Sequence, residues 1–222
     1  MNTTSTKTRM TPVTGLTARR EAPPPTTAPQ RPSLLPPCPQ GVLVGRCSGW
    51  VDLGMQANRF EKGGKAQRRV LITWTLEGPA GERWRVSKEY AWCAGPRSAL
   101  RKLLEEWRGR PYAADAEAWA VLRDPRKILE QPGLVRVVHR PASEPGKAPW
   151  PEVAGVWPLI KGVPAAALKY PPTLYVPGSP DAEVVLRGLP VWVRARCEGV
   201  RNDEGGMRNT KMTHTGRPQP TE

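Results

Sequence analysis

The first regular feature of the chain is an alternation of apolar and polar positions that begins at residue 41. The stretch "GVLVGRCSGWVDLG" places Trp50 on one face of an extended segment and Cys47 and Val51 on the other. Two glycines inside it, Gly45 and Gly49, predict a bend or bulge of the kind that strands of small barrels need at their corners. The pattern therefore predicts a long, bent first strand.

Two further strands follow the first, and glycine-containing loops separate them. "ANRFEKGGKAQ", with Gly63 and Gly64 among charges, predicts one hairpin loop, and "GPAG" predicts the next turn. The stretch "RRVLITWTLEG" groups four apolar side chains on one side of a strand: Val70, Ile72, Trp74 and Leu76. The stretch "ERWRVSKEYAW" groups five residues on one face: Trp84, Val86, Lys88, Tyr90 and Trp92. Together the three strands predict a meander.

After residue 98 the spacing of the apolar residues changes from every second position to the three or four positions that are typical of a helix. Ser98 is a suitable N-cap, and apolar residues recur at helical spacing: Leu100, Leu103, Leu104 and Trp107. Arg101 and Glu105 stand four apart and can pair, while Gly109 ends the pattern. "ADAEAWAVLRDPRKIL" predicts a second helix that Pro125 interrupts. The apolar stripe of the first helix is most simply explained as core packing.

Two more strands complete the central part of the chain. "GLVRVVHR" predicts a fourth strand and "EVAGVWPLI" a fifth. This order predicts a mainly β fold with α: an OB-fold-like five-stranded barrel with one helix after the third strand, over residues 41–165. A mixed α+β sheet of another topology fits nearly as well. Residues 166–200 form a Pro-rich annex with short helices near Asp181 and Pro190, which we expect to pack on the barrel.

Both ends of the chain lack a periodic apolar pattern. Residues 1–40 are a basic Thr- and Pro-rich segment, and residues 201–222 are polar and broken by glycines. Segments of this composition cannot offset their chain entropy by burying apolar surface. We therefore expect disordered N- and C-terminal tails around a compact centre.

Charge and aromatic content narrow the class of partner. Lys and Arg number 34 against 20 Asp and Glu, so the formal charge is +14. Such a charge attracts polyanions, although it also serves as a solubility device. Nine tryptophans accompany a single phenylalanine, and indole rings stack on nucleobases as well as filling cores. The combination favours nucleic acid over a membrane surface as partner.

Motifs for catalysis or for binding a metal are not found. The four cysteines lie far apart and the histidines are His139 and His214, so no zinc spacing exists, and scattered thiols fit a reducing cytoplasm. Asp52 is the one strand carboxylate that we consider as a metal ligand, but a turn residue at the end of the strand is the better interpretation. We expect neither enzymatic activity nor a cofactor.

No secretory signal or membrane span is predicted, while the Arg- and Thr-rich start resembles a transit peptide in composition alone.

The motifs in their order resemble a known family. "RCSGWVDLGMQ", "VSKEYAWCAGPRSALRKLLEEWRGRPY", "VWPLIKGVPA" and "LRGLPVWVRAR" together are similar to bacteriophage and prophage proteins of the single-strand DNA-binding type, over about residues 41–196. The resemblance implies an OB-type fold and binding of single-stranded DNA in replication or recombination. The 40-residue arm and the non-acidic end "GRPQPTE" depart from the family pattern, which puts recruitment of partners through an acidic tail in doubt.

The residues expected to contact nucleic acid are basic and aromatic side chains of the strands, the helix end and one loop. They are Arg68, Arg69, Trp74, Lys88, Tyr90, Trp92, Arg108, Arg110 and Lys161. For each aromatic residue the alternative is a place in the core, because one face of every barrel strand fills the interior. For each basic residue the alternative is a solvated surface charge.

The predicted function is therefore non-catalytic, sequence-tolerant binding of single-stranded DNA in the cytoplasm of a bacterial host. Replication or recombination proteins are further expected partners, and a homo-oligomer is compatible with this function. Two alternatives stay open: a phage adaptor module that binds a host or replisome protein, and a binder of RNA or duplex nucleic acid. The residues do not separate DNA from RNA, since both present phosphates and base faces.

Overall fold

The computed structural model describes residues 37–57, 65–142, 148–165 and 167–207, and for residues 200–207 it describes the helical backbone alone. Most of the predicted N-terminal arm, the Gly63–Gly64 hairpin loop and the predicted tail from residue 208 lie outside the described residues. The predicted disorder is therefore not addressed for residues 1–36 and 208–222, whereas Cys38 of the predicted arm is buried and residues 201–207 of the predicted tail are helical, which corrects both boundaries.

The described part of the chain contains six strands and four α-helices. The strands are β1 (Gly41–Gln56), β2 (Gln67–Glu77), β3 (Arg83–Ala91), β4 (Pro132–Arg140), β5 (Trp150–Trp157) and β6 (Thr173–Tyr175). The helices are α1 (Ala99–Arg108), α2 (Asp115–Arg123), α3 (Ala182–Gly188) and α4 (Val191–Met207), and a 3₁₀ turn (Pro125–Lys127) follows α2. All five strands and both central helices predicted from the sequence are confirmed.

The strands form one mainly antiparallel sheet in the order β3-β2-β1-β4-β5. The short β6 pairs in parallel with β1 from Gly49 to Val51. This sixth strand was not predicted, because three residues are too few to show an alternation. At the two ends of the path, β3 and β5 approach each other, and Lys88 Nζ of β3 donates to the Val153 carbonyl of β5 at 2.7 Å.

A first apolar core lies on the inner face of the sheet and is covered by α1. Trp74 and Ile72 of β2 are fully buried there, and the indole of Trp74 packs on that of Trp107 with ring centroids 6.0 Å apart. Trp107 Nε1 in turn donates to the Pro132 carbonyl at 2.8 Å, which ties the end of α1 to the start of β4. The helical stripe of α1 is thus core packing, as the spacing predicted.

The ends of α1 are formed as its sequence predicts. Ser98 Oγ accepts a hydrogen bond from the Arg101 backbone N–H. Gly109 lies in the left-handed region at φ 73°, a conformation that closes a helix at little cost only for glycine. Arg101 pairs with Glu105 as expected, and it also reaches Asp115 of α2, which joins the two helices.

A second apolar core lies on the outer face of β1 and β2. Val51, Leu53 and Leu71 pack there against the C-terminal segment, whose buried members are Tyr175, Ala182, Leu186, Leu189, Val193 and Cys197. Asp181 occupies the N-cap position of α3, but its side chain makes no capping hydrogen bond. The longer α4 continues to Met207, past residue 200.

A bulge in β1 separates these two cores along one strand. The register of β1 against β2 shifts between Cys47 and Gly49, as the glycine predicted. The extra residue reverses the alternation, so Cys47 lies in the inner core whereas Val51 lies in the outer one. A strict period of two had placed these two residues on one face. Among the helices of the described ranges, none combines the length and apolar character that crossing a bilayer requires.

Candidate nucleic-acid interface

Three candidate residues, Lys88, Tyr90 and Trp92, lie on one face of β3, and this face is turned toward the inner core. Val86 and Tyr90 of this face are buried, and burial is the main cause that raises the pKa of the Tyr90 phenol, with smaller contributions from the charges of Glu152 and Glu106. Trp74 is likewise fully buried. Neither aromatic ring presents a face to solvent, so both lie in the core rather than on a binding surface.

Lys88, on the same face, is held between strands. Its ammonium forms an ion pair with Glu152 of β5 at 2.9 Å, and Arg140 of β4 contacts the same carboxylate at 2.7 Å. Burial acts to raise the pKa of Glu152, but the hydrogen bonds from Lys88 and Arg140 outweigh it, and the pKa is lowered. Lys88 therefore links β3 to β5.

Arg68 and Trp92 are brought together at the end of the inner core. The Arg68 guanidinium lies 4.3 Å from the centroid of the Trp92 ring, and Trp92 meets Trp119 edge-on at 5.1 Å. Arg68 also pairs with the buried Asp52, whose Oδ1 accepts from the Gly54 N–H at 2.9 Å. Asp52 lies inside β1 at a second register shift, which corrects the turn role that the sequence favoured, and Trp92 is partly covered by its neighbours.

The three remaining basic candidates lie elsewhere. Arg108 stacks on Tyr112 at 4.3 Å and pairs with Glu117 at 2.8 Å. Arg110 follows on the surface, and Lys161 is exposed after β5. Arg108 lines a cleft at the end of α1, and Arg110 and Lys161 are each two residues from a lining residue, whereas Arg68, Trp92 and Lys88 do not line this cleft.

A different surface combines cations with accessible aromatic rings. Two cavities, of about 320 Å³ and 250 Å³, share Ser87 on the outer side of β2 and β3. We call them together the outer groove. Trp150 lines the first cavity and is 48% exposed, whereas Trp192 lines the second and is 54% exposed. Of the nine predicted site residues, Arg69 lines this groove from the outer face, and Lys88 lines it from the contact between β3 and β5, where it pairs with Glu152.

The floor of the outer groove is polar because of the strand register. Thr73 of β2 is paired with Ser87 of β3, and their hydroxyl oxygens lie 2.8 Å apart. Arg85, two residues before Ser87 on the same face, lines the groove and is exposed. On α4, Trp192 and Arg196 are four residues apart and therefore lie on one side of the helix, toward the groove.

Positive charge exceeds negative charge along this surface. Arg69 contacts Glu89 at 3.4 Å, and Arg196 pairs with the same carboxylate while it also contacts Gln56. Two guanidinium groups thus share one carboxylate. Arg85 forms no ion pair within the described ranges. A ligand with repeated negative charge would meet a net positive wall here.

Sequence reasoning missed Trp150 and Trp192. For Trp192 the sequence contained a signal, because Val193 and Cys197 are apolar and four residues apart. They form the buried side of α4, and Trp192 lies next to that side rather than on it. Trp150 is the first residue of β5, three positions before the buried Val153. Its half-exposed position depends on where the strand begins, which the sequence alone did not indicate.

No group of three His, Cys, Asp or Glu residues that could hold a metal ion occurs in the part of the chain that the structure describes. Comparison of the chain with protein-family models, with curated proteins and with solved structures finds no match.

Proposed function

We propose that this protein is a non-catalytic single-stranded DNA-binding protein of phage or prophage type, acting in replication or recombination, and that the outer groove is its binding surface. The observation that carries the proposal is the pair of exposed indoles, Trp150 and Trp192, at the two cavities of a polar groove with excess arginine. Single-strand binding needs this combination, since rings stack on bases and cations follow the phosphates.

The topology supports the same proposal. The order β3-β2-β1-β4-β5, with β3 approaching β5 and a helix between β3 and β4, is what a five-stranded OB-type barrel has if it closes between those two strands. In OB-fold proteins the face of strands 2 and 3 binds oligonucleotides together with the loops after strands 1 and 4. We infer that β1 to β5 form such a barrel.

The position of the groove fits this arrangement. Ala57, directly after β1, and Trp150, directly after the β4–β5 connection, line the same cavity. In the sequence, the connection after β1 carries Arg59, Lys62 and Lys65 against Glu61, whereas the connection after β4 carries Lys147 against Glu144. A strand of nucleic acid that crosses β2 and β3 would therefore pass beside Ala57 and Trp150, where one connection begins and the other ends.

The proposal is tested by fluorescence anisotropy with the full chain and a labelled oligothymidylate of about 20 nucleotides, longer than the roughly 4–16 that one OB domain covers. We expect Trp150→Ala and Trp192→Ala each to weaken binding by about 1–3 kcal/mol, the contribution of one stacked base. Log affinity should fall with log salt at about −0.7 per phosphate contacted.

Trp157→Ala is the matched control, because Trp157 is also an exposed indole (38%) but does not line the groove. Unchanged affinity in both groove variants, or an equal loss in the control, would exclude the outer groove as the binding surface. Absence of binding at low salt would exclude the function itself. Competition by matched RNA and duplex DNA separates the proposed ligand from the other nucleic acids.

A further inference from the structure

A cleft of about 560 Å³ lies at the end of α1, apart from the outer groove. Its walls come from the last turn of α1, from α2, from the start of β4 and from the segment after β5. None of the residues that line it also lines the two cavities of the groove. The volume is within the range of 300–1,000 Å³ that is usual for binding sites.

The cleft is lined mainly by aliphatic side chains and prolines. Its apolar members include Leu104, Val121, Ile128, Pro132, Pro158 and Leu159. Its aromatic residues, Trp107 and Tyr112, are each buried with 7% exposure, and the ring of Tyr112 is already covered by Arg108. The cleft thus presents no broad aromatic face on which a base would stack, whereas aliphatic side chains fit it well.

Two cations and one carboxylate line this cleft, and two more cations stand on the adjoining segments. Lys127 lines the cleft with 57% of its side chain exposed, and its contact with Asp124, at 3.9 Å, is long for an ion pair. Arg108 lines it too, although Glu117 neutralises that charge. Arg110 and Lys161 are exposed on the two segments that border it. The border is therefore positive overall.

We propose that this cleft binds a peptide segment of a partner protein in which apolar side chains are flanked by carboxylates. The apolar side chains fill the aliphatic cleft, and the carboxylates face Lys127, Arg110 and Lys161. Charge complementarity favours a partner over the chain's own ends, since residues 1–36 contain five basic residues against one acidic and residues 208–222 contain three against one. The proposal does not depend on the nucleic-acid function of the groove.

Tryptophan indole N–H signals in a ¹⁵N-correlated NMR spectrum distinguish the two surfaces. Trp107 reports on the cleft, while Trp150 and Trp192 report on the groove, with assignments from single Trp→Phe variants. The probes are an octapeptide of alternating leucine and aspartate, its leucine–lysine counterpart, and an oligothymidylate. We expect the acidic peptide to shift the Trp107 signal and the lysine peptide to leave it unchanged.

Lys127→Glu should weaken binding of the acidic peptide roughly fivefold or more, since it replaces an attraction with a repulsion at an exposed site. Lys169→Glu is the control, with the same charge change at an exposed position that does not line the cleft. Equal binding of both peptides, an equal effect of the two variants, or displacement of the peptide by oligothymidylate would overturn the proposal. Failure of oligothymidylate to shift Trp150 or Trp192 would count against the groove alone.

Discussion

The inner and outer faces of β2 and β3 differ both in residue types, mainly apolar inside and mainly polar outside, and in their surroundings. On the inner face, Trp74 and Tyr90 are buried beneath α1 and make the core continuous. On the outer face, Leu71 is covered by the C-terminal helices, but Thr73 and Ser87 remain at the floor of an open groove. One sheet thus supplies both a sealed core and an accessible polar surface.

This contrast shows that an aromatic residue on a strand does not indicate by itself a surface for bases. Trp74 and Tyr90 are aromatic residues of strands, yet the core uses them, whereas Trp150 and Trp192 lie at the beginning of elements and stay half exposed. Four tests, taken from the largest expected effect to the smallest, measure how far the two faces are independent.

The largest effect is expected for Trp74→Ala on the inner face. Removing a fully buried indole leaves a cavity and should lower the free energy of unfolding by about 3–5 kcal/mol, measured by urea denaturation. Trp74→Phe should cost less, because Trp74 Nε1 is buried without a hydrogen-bond partner. Trp150→Ala should change stability by no more than about 0.5 kcal/mol. A loss of several kcal/mol in Trp150→Ala would contradict the separation of the faces.

The next effect concerns the attachment of α4 to the outer face. Arg196 of α4 pairs with Glu89 of β3, and both side chains are largely covered. A double-mutant cycle with Arg196→Ala and Glu89→Gln should give a coupling free energy of about 1–2 kcal/mol in urea denaturation. A coupling near zero would show that the apolar contacts of Val193 and Cys197 hold the helix without this pair.

A smaller effect is expected for Arg85→Ala, which removes an exposed cation from the groove. Stability should stay within about 0.5 kcal/mol of the parent. If Arg85 contacts one phosphate, the slope of log affinity against log salt should become shallower by about 0.7. Arg136→Ala, at an exposed position of β4 that does not line the groove, is the control. An unchanged slope in Arg85→Ala would remove that residue from the interface.

The smallest effect is a dependence of stability on pH through Glu152 of the inner link between β3 and β5. Its pKa is lowered in the folded protein, so its contribution is fully present above the ordinary glutamate pKa and is lost as the pH falls through the lowered value. The stability difference between the parent and Glu152→Gln should be constant above about pH 5 and shrink below it. A difference that grows on acidification would mean that burial, which acts to raise this pKa, dominates instead.

The order of the central elements was predictable because its signals are local. Each of the first five strands shows an alternation, and α1 has a capping serine and a terminal glycine, so neighbouring residues suffice to identify them. β6 was missed because its three residues are too few to show an alternation, and its partner β1 is far away in the sequence. The side on which Val51 lies was also missed, since a bulge shifts the alternation by one residue.

The candidate surface was predictable only in its residue types. Basic charge and tryptophan content indicated a binder of polyanions. In the structure, however, Lys88 forms an ion pair with Glu152, and Arg68 forms one with Asp52. Arg69 is the predicted residue that lies on the outer face and lines the groove. Pairing of a cation with a carboxylate far away in sequence depends on the sheet register, which a single sequence does not display.

The sequence by itself determined the strands and helices of the centre, the capping of α1 and the excess of positive charge, because these follow from composition and short-range periodicity. The tertiary structure alone decided which tryptophans remain exposed, since burial depends on what packs above each face. It also decided that α4 lies beside Ser87 and Arg85 and that apolar residues from four segments form one cleft. Both candidate surfaces consist of residues that meet only when distant parts of the chain fold together.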